Sequence, residues 1–208
     1  LGYQFGDDDA RFLEGLEAVL EHYNVPLLGG DTIGGSGAQV LGLTALGRAT
    51  HRPVPSRSGA RAGDGLWITG PVGAAMLGFE AFKTGSGDRE AWTRPLARLA
   101  EGWALAPQVS AMMDVSDGLL LDAARMARAS GVTIAIERAG VPIAVSEARR
   151  DEALRWGEDY QLLFALPPEV EPAAEATRIG TVETPGPAPL LLDGLPLRET
   201  DGLGYQHR

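Results

Sequence analysis

The chain has 208 residues, 44% of them hydrophobic and 22% charged, with a net charge of −10. This composition belongs to a globular chain able to bury a sizeable core unaided, and it excludes a disordered or fibrous protein. The absence of cysteine removes disulfide frameworks, thiolate metal sites and cysteine nucleophiles, and it suits a reducing, cytoplasmic setting. The acidic balance argues against nucleic acid as a partner, and no apolar run reaches the roughly 20 residues of a membrane helix.

In chain order, Phe12, Leu13, Leu16, Val19 and Leu20 recur at helical spacing and predict an amphipathic helix over Asp7–His22. Asp7-Asp8-Asp9 suits the positive end of that helix, and His22 suits its negative end. Val25–Leu28 and Gln39–Ala49 read as strands, with Gly29-Gly30-Asp31-Thr32 as a tight loop after the first. Residues 50–65 are polar and rich in Pro and Gly, the signature of a linker. Beyond them strands alternate with helices. Leu66–Thr69 predicts a strand, Ala74–Phe82 a helix entered through Gly70-Pro71-Val72-Gly73, and Pro95–Leu105 a helix burying Leu96, Leu99 and Trp103, with Leu105 a further candidate. Ala111–Met113 predicts a strand, and Asp117–Ser130 a helix closed by Gly131. Strands at Val132–Ile136, Tyr160–Ala165 and Thr177–Val182 follow, with a helix over Ser146–Trp156. Asp193-Gly194 predicts a hairpin turn within Leu190–Leu197. The pattern gives an α/β or α+β domain over residues 66–208, a linker over 51–65, and the tail of another domain over 1–50. The chain begins at Leu1 rather than Met, as a piece of a longer protein would.

Three acidic loops carry the chemistry: Gly29-Gly30-Asp31-Thr32, Met113-Asp114-Val115-Ser116-Asp117-Gly118, and Trp156-Gly157-Glu158-Asp159-Tyr160. Each sets carboxylates beside glycine, which lets a ligand approach the backbone. Asp114 and Asp117 lie three apart across a strand end and a helix start, so both can aim at one point. Oxygen donors without cysteine suit Mg²⁺, which shares its sites with water and substrate phosphates. Asp117 has a second reading as the N-cap of the following helix, and Asp31 as a turn former. Gly70–Gly73 is either a phosphate cradle or a plain turn. Arg57 stands in a small-residue loop that either presents a guanidinium to phosphate or is solvated surface. No P-loop and no G-x-S-x-G elbow is present.

Taken together, Val25–Thr32, Arg57–Asp64, Met113–Leu119, Gly157–Phe164 and Gly204-Tyr205-Gln206-His207 resemble the thiamine-monophosphate kinase family. That family lies in the superfamily of aminoimidazole ribonucleotide synthetase. The resemblance implies an aminoimidazole ribonucleotide synthetase-like fold, with residues 1–50 the C-terminal part of an N-terminal ATP- and Mg-binding domain. It implies phosphorylation of thiamine monophosphate to thiamine diphosphate by ATP with Mg²⁺, by direct transfer, in a protein that is a homodimer at full length. By the same resemblance Asp31, Asp114 and Asp117 are magnesium ligands. Gly30, Asp31, Arg57 and Ser116 contact ATP, and Glu158 and Tyr205 face the substrate. Nothing in Leu1–Asn24 replaces the family's N-terminal acidic metal motif. An incomplete fragment, or a non-catalytic ATP-binding module, is therefore the alternative expectation.

Overall fold

The computed structural model describes residues 7–31 and 40–206. The chain divides into two compact units, Leu1–Gly47 and Arg48–Arg208. In the first unit, helix α1 spans Asp7–His22, as the apolar periodicity requires. His22 closes it and packs edge-on against Tyr23, ring centroids 4.6 Å apart. The strand expected at Val25–Leu28 does not form: Leu27 and Leu28 are exposed and carry no ladder. Residues 40–49, expected to be a strand, are likewise irregular, while Thr32 and Gln39 lie outside the described residues. A run of β-prone residues becomes a strand only when a neighbour takes its N–H and C=O groups, and among the described residues neither segment has one.

The second unit is built on strands β1 (Gly65–Ile68), β2 (Ala111–Asp114), β3 (Thr133–Ile136), β4 (Leu162–Leu166), β5 (Thr177–Glu183), β6 (Leu190–Leu192) and β7 (Leu195–Leu197). They form one sheet in the order β2-β4-β1-β5-β3-β6-β7. All pairings are antiparallel except β3–β6, so of the two classes expected the unit is α+β. Asp193 and Gly194 take positive φ of 49° and 78°, the geometry of the predicted hairpin turn.

Side chains alternate across this sheet with period two. Leu66, Ile68, Ala111, Leu163 and Ala165 point into the larger core, while Trp67, Met112, Phe164 and Leu166 point into a smaller one with Leu105. Helix α5 (Leu119–Ser130) fills the larger core and is buried at Leu119–Ala124, Met126 and Ala127. Gly131 closes it in the left-handed conformation with φ 68°, as expected. Helix α2 (Ala74–Thr84) carries a short helix α3 (Glu90–Thr93) beside it.

Helix α4 runs only from Leu99 to Leu105, shorter than the expected Pro95–Leu105. Leu96, Leu99 and Trp103 are exposed rather than buried, because α4 docks through Leu105 at its C-terminal end. The helix expected over Ser146–Trp156 is a 3-10 turn at Glu147–Arg149 running into helix α6, Arg150–Ala153. Arg150, nearly buried there, is held by both carboxylate oxygens of Glu147 and by the carbonyls of Arg138 and Val141.

Candidate functional site

The loop between β2 and α5 is fixed from beneath by a residue with no role in the sequence reading. Asp122, buried in the first turn of α5, accepts the backbone N–H groups of Ser116 and Asp117 at 3.1 and 3.0 Å. It thus ties the preceding loop to the first turn of α5, whose N-cap position is Gly118, with no side-chain cap bond. Asp117 is therefore not the N-cap. Its carboxylate instead receives Arg125, which also donates to Asp122 at 2.8 Å. Burial pushes the Asp122 carboxyl above the ordinary carboxylate range, against the pull of its hydrogen bonds and of Arg125. A sequence signal for Asp122 exists: an acid between Leu119-Leu120-Leu121 and Ala123-Ala124 must find partners inside the core.

Three loops clasp backbone to backbone at this end of the unit. Glu158 N–H donates to the Ser116 carbonyl at 2.8 Å, Tyr160 N–H to Val115 at 2.9 Å, and Val115 N–H to Gln161 at 2.8 Å. Tyr205 N–H donates to the Asp117 carbonyl at 2.8 Å. Glycine makes the approach possible. A Cβ on Gly118 would lie 2.6 Å from the Arg155 carbonyl oxygen, and one on Gly157 or Gly204 would collide with the carbonyls of Ser116 or Asp117. In this way Asp114, Ser116, Asp117, Glu158 and Tyr205, drawn from three distant stretches of sequence, meet at one place. Asp114 stands exposed at the end of β2, and Glu158 and Tyr205 are exposed beside it.

The third loop holds two further residues the sequence reading left without roles. Asp159 is mostly buried and accepts the N–H groups of Gly73 and Ala75 at 2.7 and 2.9 Å. These are the donors at the start of α2 that a phosphate cradle at Gly70–Gly73 would have used, so the turn serves as a strand-to-helix connection. Burial also raises the Asp159 carboxyl above its ordinary range. Tyr160 donates its hydroxyl to Glu158 Oε2 at 2.7 Å. That bond, with burial, pushes the phenol up to about 12.

Arg57, in the same unit, is not gathered here. The backbone of Arg57 is tied through its carbonyl to the Ser130 hydroxyl, at the far end of α5 from Asp117. The twelve residues of α5, rising 1.5 Å from each to the next, put its two ends about 16 Å apart. Gly30 and Asp31 belong to the first unit, where Asp31 is exposed. Among the described residues no group of three or more His, Cys, Asp or Glu side chains is gathered as a metal ion would need. His207, at the end of the last motif, lies outside the described residues.

Comparison with known proteins identifies the family. Residues 61–184 match the family described as AIR synthase related protein, C-terminal domain. A thiamine-monophosphate kinase of Halobacterium salinarum is 34% identical over 200 residues, covering 93% of this chain and 68% of its own length. One from Leptospira interrogans is 32% identical, covering 92% and 67%. The crystal structure of a thiamine monophosphate kinase from Aquifex aeolicus superposes with a TM-score of 0.61 at 32% identity, over 69% of this chain and 54% of that one. A structure described as AaThiL complexed with AMPPCP and TMP gives the same TM-score and identity. The chain thus spans about two-thirds of those curated relatives and about half of the solved chains.

Proposed function

This chain belongs to the thiamine-monophosphate kinase family, and from that premise we propose that it phosphorylates thiamine monophosphate to thiamine diphosphate with ATP and Mg²⁺. The observation that supports this most is the clasp of Asp114, Ser116, Asp117, Glu158 and Tyr205, assembled by backbone bonds at one end of the sheet. Asp114 offers a hard carboxylate, and Asp117 a second one that also receives Arg125. Magnesium needs only one or two of these when substrate phosphates and water complete its shell, so the donor set fits the ion. Bound there, Mg²⁺ would neutralise charge on the transferring phosphate.

Ser116 offers its hydroxyl to ATP, and Glu158 and Tyr205 take the acceptor side. Gly30, Asp31 and Arg57 are assigned to ATP, and Asp31 also to the metal, by resemblance in sequence. In the transfer a phosphate oxygen of the acceptor bonds to the γ-phosphorus of ATP. The bond from that phosphorus to the bridging oxygen breaks, and ADP leaves with the electron pair. The acceptor oxygen is largely ionised at neutral pH, so no general base is assigned. The work of the side chains is positioning and charge.

A non-catalytic ATP-binding module is the second reading. It is favoured by the lack of three gathered metal-ligating side chains among the described residues. Incubating the purified chain with ATP, Mg²⁺ and thiamine monophosphate, and separating the products by chromatography, decides between them. Thiamine diphosphate that disappears in Asp114→Asn supports the kinase. Mg²⁺-dependent ATP binding with no product overturns it for this chain in favour of the module.

A further inference from the structure

Residues 157–161 are held in a conformation that a simple turn does not need. Glu158 and Tyr160 both occupy the left-handed region, with φ of 66° and 49°, where side chains other than Gly, Asn and Asp are uncommon. Asparagine or glycine at either position would make the same turn with less strain. Backbone outliers that persist are over-determined by their surroundings, and the surroundings here are identifiable. Asp159, between the two, turns inward and caps α2 through Gly73 and Ala75. The amides of Glu158 and Tyr160 are anchored on Ser116 and Val115. With Asp159 inward, Glu158 and Tyr160 are left on the outer side. There the phenol donates to the carboxylate at 2.7 Å, so Glu158 is held by a short, charge-assisted bond.

We propose that Asp159 and Tyr160 are positioning residues for Glu158: Asp159 anchors the strained loop on α2, and Tyr160 fixes the outward carboxylate that receives the acceptor substrate. This rests on the kinase reading for the acceptor's identity. A carboxylate in that position selects a group that is positively charged or donates N–H. Thiamine monophosphate carries both, in its thiazolium and aminopyrimidine rings. ATP, bound by other residues, does not depend on the pair.

Two measurements test this. Amide hydrogen exchange needs no substrate. Asp159→Asn is expected to speed exchange at Gly73 and Ala75, and at Glu158 and Tyr160 as well, by tenfold or more. Faster exchange at the first two alone makes Asp159 a helix cap and nothing further, and overturns its positioning role. Calorimetry with thiamine monophosphate, and steady-state kinetics with both substrates, test Tyr160. Tyr160→Phe is expected to raise the Kd and KM for thiamine monophosphate about five- to tenfold, the equivalent of one hydrogen bond, with the KM for ATP within twofold of wild type. Glu158→Gln should lose a similar factor, and the double variant should lose no more than the larger single loss. Equal effects on both substrates, additive losses, or unchanged thiamine monophosphate binding in Tyr160→Phe overturn the proposal. If Asp159→Asn behaves as expected but the wild-type chain binds no thiamine monophosphate, the kinase reading fails and the acceptor role of Glu158 fails with it.

Discussion

Replacing Gly118 with alanine probes the packing that assembles the site. Gly118 has φ 114° and ψ 140°, a region essentially confined to glycine, and an added side chain there costs about 1–3 kcal/mol in backbone strain. The new Cβ would also sit 2.6 Å from the Arg155 carbonyl oxygen and 2.9 Å from its carbon. Both are backbone atoms and cannot swing aside, so overpacking adds about 1–3 kcal/mol more. A total near 4 kcal/mol, at about 2–4 °C per kcal/mol for a chain of this size, lowers the melting temperature by about 8–16 °C. Two other glycines separate the contributions. Gly131 has φ 68° with open space around its Cβ position, so its alanine variant carries strain alone, about 1–2 kcal/mol. At Gly140 the nearest atom is 3.8 Å away and φ is ordinary, so Gly140→Ala should melt within about 2 °C of wild type. Circular dichroism melts of the three variants give the ordering. If Gly118→Ala melts no lower than Gly131→Ala, the close approach of the 116–118 loop to Arg155 is not a constraint, and the argument for the clasp is wrong.

Two further outcomes follow from the buried acids. Asp122→Asn removes the charge that pairs with Arg125 and sets an amide N–H₂ against the Ser116 and Asp117 donors; a loss of about 2–3 kcal/mol in urea unfolding is expected, and a loss below 0.5 kcal/mol would contradict the role given to Asp122. Because burial raises the native pKa of Asp159 above its unfolded value, the folded state holds that proton more tightly. Its contribution to stability is therefore greatest at low pH and is lost as pH rises from the ordinary carboxylate range through the raised native value. The stability of wild type minus that of Asp159→Asn, followed by denaturant unfolding between pH 4 and 7, should fall as pH rises; a difference that grows with pH would reverse the sign assigned to the burial effect.

The sequence by itself determined many of the local elements and singled out the residues proposed for the site. Helical spacing places α1, and Gly131 and Asp193-Gly194 mark a helix end and a hairpin. Three acidic, glycine-bearing loops single out Asp31, Asp114, Asp117 and Glu158 as the residues to watch. These signals are short-range: periodicity, caps and turns depend on neighbours a few residues away. Tertiary structure decided what needs a partner. Residues 40–49 have strand-like composition but no ladder, and Leu99 and Trp103 have helical spacing but no covering surface. Asp117 reads as a helix cap, yet Gly118 holds the N-cap position and the Asp117 carboxylate receives Arg125. The burial of Asp122 and Asp159 is likewise beyond local pattern, because a buried carboxylate is tolerated only where donors from distant segments converge on it. The same holds for the site as a whole. Val115–Asp117, Glu158–Gln161 and Tyr205 are joined by backbone hydrogen bonds, which carry no side-chain signature, and only their glycines show in the sequence that the three segments come so close.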